Sequence, residues 1–151
     1  QQIGQGYWNP NPEEAERLRE YLLRGGFLVI DDFHGNDWPV VVKAMQNVLP
    51  GYPIVELTPE DPIFHALYDL NQTTQIPGDR HLFCGQTQAR MEGPQKWAGV
   101  YDEEGRMMVA INFNMDMGDA WEHADDPCYP EPMTALAYRF GLNYVIYAMT
   151  H

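Results

Sequence analysis

The sequence predicts a single α/β domain with a largely parallel sheet. Three observations carry that expectation. Helical and extended segments alternate along the chain, which is the ordering of a layered α/β fold. Two of the extended segments, around residues 27–30 and 106–112, are continuously apolar, as strands covered on both faces are. The chain has 151 residues, 44% of them apolar, which suits one domain and fills its core.

The first element is a helix over residues 12–24. Asn11 is placed to cap it, Pro12 suits the first position, and Glu13 and Glu14 favour the positive end of the dipole. Ala15, Leu18 and Leu22 share a face, with Tyr21 beside them, and Arg24-Gly25-Gly26 is a stop. A strand over 27–30 follows and ends in Asp31-Asp32-Phe33-His34-Gly35. Asn36 or Asp37 then caps a second helix, with Pro39 in its first turn and Val41, Val42, Met45, Val48 and Leu49 as its apolar face. Residues 54–57 read as a strand. Thr58-Pro59-Glu60-Asp61 reads as the start of a short helix over 63–67.

Periodicity is lost from residue 68 to 95, and a stretch that long without structure signals function or mobility. A hairpin then joins strands at 97–101 and 106–112 across the turn Asp102-Glu103-Glu104-Gly105. The second strand runs into Asn114-Met115-Asp116-Met117-Gly118-Asp119-Ala120-Trp121-Glu122-His123. After a Pro-rich segment at 127–132, a last helix over 133–149 turns Ala135, Leu142, Val145, Ile146 and Met149 inward, with Gly141 allowing close helix–sheet contact. Repeats, low-complexity tracts and an internal domain boundary are not seen. The first helix needs an upstream strand to complete a right-handed crossover. Only residues 1–7 are available for that strand, so the sheet is expected to lack its first strand in this chain. The opening Gln1-Gln2-Ile3-Gly4, without an initiator Met, agrees with a processed or excised piece of a longer protein.

Charge restricts the partners. Nine Lys and Arg stand against 22 Asp and Glu, a net −13. Such a field repels nucleic acid and anionic membrane surfaces and suits a cationic ligand, a metal ion or a basic protein surface; it also serves plain solubility. Apolar runs fall short of the roughly 20 residues that span a bilayer, so direct membrane insertion is not expected. Cys84 and Cys128 are 44 positions apart with no close Cys neighbour, which excludes a zinc knuckle and leaves a disulfide open.

In open parallel sheets ligands bind beyond the carboxyl ends of the strands. Two polar bursts fall at such ends: Asp31, Asp32 and His34 after one strand, and Asn114, Asp116, Asp119, Trp121, Glu122 and His123 after the other. If the strands are parallel neighbours, both bursts share one rim and form an acidic pocket. Such a pocket can bind a cationic or hydroxylated ligand. It can hold a divalent metal, with Asp32, His34, Asp116, Asp119 and His123 as candidate ligands. It can also transfer protons between crowded carboxylates. The structural alternatives are Asp31 or Asp32 capping the next helix or forming an Asx turn, and Asp116 and Asp119 ordering a turn at Gly118. His65 reads as a packed histidine, His81 as solvated, and Trp121 as a plug against the sheet. Cys84, in Leu82-Phe83-Cys84-Gly85, lacks the Gly-x-Cys-x-Gly setting of a nucleophile elbow.

The segment from Leu18 to Gly35, LREYLLRGGFLVIDDFHG, resembles the signature of a bacterial family known as domain of unknown function 4159. Asp61-Pro62-Ile63-Phe64-His65, Gln75-Ile76-Pro77-Gly78, Asn114-Met115-Asp116-Met117-Gly118-Asp119-Ala120-Trp121-Glu122 and the ending from Gly141-Leu142-Asn143-Tyr144 to Thr150-His151 agree in order, over nearly the whole chain. The resemblance implies a class I glutamine amidotransferase-like fold, a flavodoxin-like three-layer sandwich with helices on both sheet faces. It also implies native sequence upstream, including the first strand, and an extracytoplasmic setting. It brings no established reaction. Where an amidotransferase has its nucleophile elbow this chain has Asp31-Asp32, so that activity is not expected. The leading expectation is a non-catalytic domain binding a small ligand or protein partner through the acidic pocket. The alternatives are a metal-dependent or carboxylate-based hydrolase using the same Asp/His cluster, and an assembly role in a cell-envelope complex.

Overall fold

A computed structural model describes residues 8–70, 74–78 and 93–151. Helix α1 spans Pro12–Leu23. Its cap is reciprocal: Asn11 Oδ1 accepts from the Glu14 amide at 3.0 Å and Glu14 Oε2 accepts from the Asn11 amide at 2.8 Å. Strand β1 is Leu28–Phe33. A 3-10 turn at Gly35–Asp37 leads into α2, Trp38–Val48. Strand β2 is Ile54–Glu56, β3 is Lys96–Tyr101 and β4 is Met107–Phe113. Helices α3, Met117–Glu122, and α4, Glu131–Thr150, complete the fold.

The sheet has four strands in the order β1-β4-β3-β2. Only β1 and β4 pair in parallel; β4–β3 and β3–β2 are antiparallel. The expectation of a mostly parallel sheet is therefore corrected to a mixed one. Asp102 causes the reversal. Its Oδ1 accepts from the amides of Glu104 and Arg106 at 3.0 and 2.8 Å, closing the β3–β4 turn. The apolar run of β4 reports burial on both faces, which a central strand of a mixed sheet has as well.

Successive residues of a strand face opposite sides. Ile111 joins a cluster with Leu22 of α1 and Val41, Met45 and Val48 of α2. Ala110 joins the other cluster, with Met117 and Ala120 of α3 and Phe140, Tyr144 and Tyr147 of α4. Arg106 ties the hairpin to α1, donating to the carbonyls of Gly26 and Leu22 at 3.1 and 2.8 Å. The Leu22 carbonyl is among the last four of α1, which have no partner within the helix.

Three local expectations change. The segment at 63–67 is not a helix but a 3-10 turn, Pro62–Phe64, because Asn143 Oδ1 of α4 captures the amides of Leu67 and Tyr68. Without a helix there is no apolar face, and His65 is exposed, its Nε2 2.9 Å from the Pro59 carbonyl and its Nδ1 bonded to Asp69. Gly141 admits a helix, not the sheet: a Cβ there would lie 2.9 Å from Cζ2 of Trp121, which packs on α4 rather than plugging the sheet. Residues 1–7, His81 and Cys84 lie outside the described residues. Cys128 is disulfide-bonded.

Candidate functional site

Strand β1 does not stop at Ile30. Ile30 pairs with Ile111 and Phe33 with Phe113, so Asp31 and Asp32 together stand opposite Asn112. This is a β-bulge, which re-aims side chains at a strand end. Asp32 sits at φ +58°, in the left-handed region that Asp tolerates better than most residues. Its amide donates to the Met115 carbonyl at 3.1 Å, and its Oδ1 lies 3.2 Å from Nε2 of His34.

The turn after β4 is held against that bulge. Asn114, at φ +54°, donates its amide to the Phe33 carbonyl at 3.0 Å. Its Oδ1 accepts from the Gly35 amide at 3.1 Å, and its Nδ2 donates to the Pro94 carbonyl at 3.0 Å. Parallel pairing of β1 and β4 thus brings the two acidic segments to one rim of the sheet.

The amino end of α3 absorbs two of the carboxylates. A helix leaves its first amides without intrahelical partners. Asp31 Oδ2 accepts from Met117 and Gly118 at 2.7 and 3.1 Å, and Asp116 Oδ1 accepts from Asp119 at 2.8 Å. Negative charge is also favoured there by the helix dipole. Asp31 therefore does cap a helix, but one 86 positions away rather than the next.

Burial still dominates their protonation. It pushes the Asp31 carboxyl up to about 6, against the two amides and the Asn112 amide it faces, with the Asp32 charge adding to the rise. Asn112 is itself buried, and its Oδ1 accepts from Tyr144 of α4 at 2.7 Å. Burial pushes Asp116 up to about 8; the Asp119 amide opposes this, while the charges of Asp32, Asp119 and Asp31 reinforce it.

A third segment completes the site. The Asp116 amide donates to the Ile76 carbonyl at 2.9 Å, and Gln75 Nε2 donates to the Asn114 carbonyl at 2.9 Å. Tyr129 donates to the Pro77 carbonyl at 2.6 Å. Gly78 then lies directly on the carboxylates: a Cβ would sit 2.8 Å from Asp116 Oδ2 and 3.0 Å from Asp119 Oδ2.

Of the residues singled out in the sequence, Asp31, Asp32, His34, Asn114, Asp116 and Asp119 come together. Trp121, Glu122 and His123 do not. A helix advances about 100° per residue, so two steps carry Trp121 to the side opposite Asp119, where it meets Gly141. Glu122 is exposed, and His123 closes α3 with its Nδ1 4.0 Å from Asp126. Among the described residues, no three His, Cys, Asp or Glu side chains form a group that could hold a metal. The metal set Asp32, His34, Asp116, Asp119 and His123 is not assembled as such. Sequence reasoning missed Gln75, Gly78, Asn112 and Tyr144. The Gln75-Ile76-Pro77-Gly78 run was a recognisable motif, but nothing in it tells which strand end it visits.

These elements define an α/β domain with a mixed four-stranded sheet and an acidic site at the ends of β1 and β4. Residues 2–149 match a family described as a domain of unknown function (DUF4159), and the chain belongs to that family. A comparison with curated proteins finds no match. Among the described residues, no helix is long and apolar enough to cross a membrane.

Proposed function

We propose that this chain is a non-catalytic, amidotransferase-like domain that binds a small ligand or protein partner at the β1/β4 rim, through Asp32, His34, Asp116 and Asp119. One observation carries the reading: carboxylates from two distant segments meet at one rim, where burial first, and the charges of Asp32, Asp119 and Asp31 after it, push the Asp116 carboxyl up to about 8. A cationic or donor-rich ligand placed there relieves the crowding and displaces that proton. Helices on both faces of the sheet support the three-layer, flavodoxin-like assignment. Asp31-Asp32 at the end of β1, in place of a nucleophile elbow, supports the absence of amidotransferase chemistry. The Cys128 disulfide supports an oxidising, extracytoplasmic setting.

The test is a thermal-shift screen of amines, amino acids, sugars and divalent cations, followed by calorimetry in two buffers of different ionisation enthalpy. A ligand at 100 times its Kd stabilises the fold by about 2.7 kcal/mol. Binding that releases a proton, and that is lost in Asp32→Asn/Asp119→Asn, is expected. No shift with any class overturns the reading.

The same observation favours one other function. A carboxyl still protonated at neutral pH is a general acid in waiting, so a carboxylate-based hydrolase stands as the second reading. It requires turnover of a glycoside or ester that disappears in Asp116→Asn. Absence of turnover across such substrates removes it.

A further inference from the structure

Two placements in this fold run against polarity. Helix α4 turns Leu142, Val145 and Met149 outward, although the helical spacing predicts them in the core. At the acidic rim the reverse holds, and a carboxylate is shut in. Asp116 is 4% exposed. Its Oδ1 accepts from the Asp119 amide, while its Oδ2 accepts no hydrogen bond among the described residues. The cover over that oxygen is backbone: a Cβ on Gly78 would lie 2.8 Å from it and 3.0 Å from Asp119 Oδ2. A C–H surface gives a carboxylate nothing in exchange for the water it displaces, so this cover suits the protonated carboxyl and opposes the charged one. The surrounding charges act in the same direction. Asp31 and Asp32 from β1 and Asp119 from α3 all disfavour a further negative charge on Asp116. His34 lies against Asp32, at 3.2 Å. Residues 74–78 contain no charged side chain, and the hydroxyls of Tyr129 and Tyr144 donate to Pro77 and Asn112.

The cover is held lightly. Ile76 is fully buried, and its carbonyl accepts from the Asp116 amide at 2.9 Å, which fixes the segment at that point. Beyond it Pro77 has no amide to donate. Among the described residues, one hydrogen bond holds Pro77 and Gly78 down, from Tyr129 to the Pro77 carbonyl at 2.6 Å. We propose that Pro77 and Gly78 form a pH-sensitive flap, which lies on Asp116 while the carboxyl keeps its proton and lifts when that proton leaves to solvent. Ile76 is the fixed end. Lifting lets water, or the ammonium group of a ligand, reach Oδ2, which the closed flap leaves without a partner. The flap regulates the binding site proposed at the rim and in that respect rests on that reading. Its motion belongs to the ligand-free chain.

Two magnetic-resonance readings on the ligand-free protein, from about pH 5.5 to about 9.5, test this. One is the shift of the Asp116 side-chain carboxyl carbon. The other is the relaxation enhancement of the Gly78 amide by a neutral nitroxide in solution, which grows as the flap comes into solvent. Enhancement is expected to rise severalfold with pH, with the same midpoint as the carboxyl. Asp116→Asn, neutral at every pH, is expected to keep it low throughout. Tyr129→Phe removes the Pro77 anchor and leaves every carboxylate in place. It is expected to lower both midpoints by up to about one pH unit, the value of one hydrogen bond, and it decides the matter should Asp116→Asn fail to fold. Flat enhancement while the carboxyl titrates overturns the proposal. So does a rise that persists in Asp116→Asn, or a midpoint that Tyr129→Phe leaves in place. A ligand screen without a hit removes the binding reading and leaves these curves as they are; flat curves remove the flap and leave binding through Asp32 and His34 standing.

Discussion

Asp31 and Asp116 sit at the amino end of α3, one oxygen of each taken up by amides, three in all, at 2.7 to 3.1 Å. Asp32 and His34, one and three residues after Asp31, keep about a quarter of each side chain in solvent, 24% and 27%. The bulge makes the difference. Had β1 kept a regular pleat, Asp31 and Asp32 would have faced opposite sides of the sheet. The extra residue, with Asp32 at φ +58°, turns one carboxylate down to a helix end and the other out to the rim. The comparison separates two uses of charge within one cluster: Asp31 holds the turn in place, Asp116 does so through Oδ1 while its Oδ2 lies with Asp119 on the rim side, and Asp32 and His34 stand part-exposed at the rim.

Substitutions test that division. Asp31→Ala strands two part-buried amides, and the loss is expected to be about 3 kcal/mol. For a chain of this size that is a fall in melting temperature of roughly 6–12 °C by calorimetry. A fall under about 2 °C would place Asp31 with the rim groups. Gly78→Ala drives a methyl group onto Asp116 and Asp119. It is expected to cost about 1–3 kcal/mol in urea unfolding. An unchanged midpoint would show that the Gln75–Gly78 segment does not lie on the carboxylates. Asp32→Asn keeps a residue tolerant of positive φ and removes a rim charge, so stability is expected to move by no more than about 0.5 kcal/mol. Ligand binding, in contrast, is expected to be lost. A large stability loss at Asp32 would erase the distinction between inner and rim groups.

The sequence made some of this legible and concealed the rest for physical reasons. The α1 cap and the β3–β4 hairpin are written in local signals: Asn11-Pro12, and Asp102 to Gly105. The direction of β1 against β4 entered only as a condition, since a buried strand is apolar whichever way its neighbour runs. Helix α3 was not legible because Gly118 weakens it and its caps, Asp31 and Asp116, come partly from another strand. Trp121, Glu122 and His123 looked like site residues by sequence adjacency, yet helical rotation and rise carry them away. Asn112 and Tyr144 sat inside apolar runs, and only the packing of α4 on β4 shows that they hydrogen-bond beneath Asp31.

The central claim is that two distant acidic segments crowd one rim, and its most direct test is the melting temperature of the protein and of Asp116→Asn between pH 5 and 8.5. Asp31 and Asp116 are raised to about 6 and about 8, above the roughly 3.9 of an unfolded Asp. Over that range the folded state binds more protons than the unfolded one, so stability falls as pH rises. The stabilising contribution of each group is whole below about pH 4 and is lost as pH climbs through its folded value. The account predicts a melting temperature that declines from pH 5 to 8.5 in the native chain and declines distinctly less in Asp116→Asn. Parallel curves for the two proteins, or a native curve that rises with pH, would contradict it.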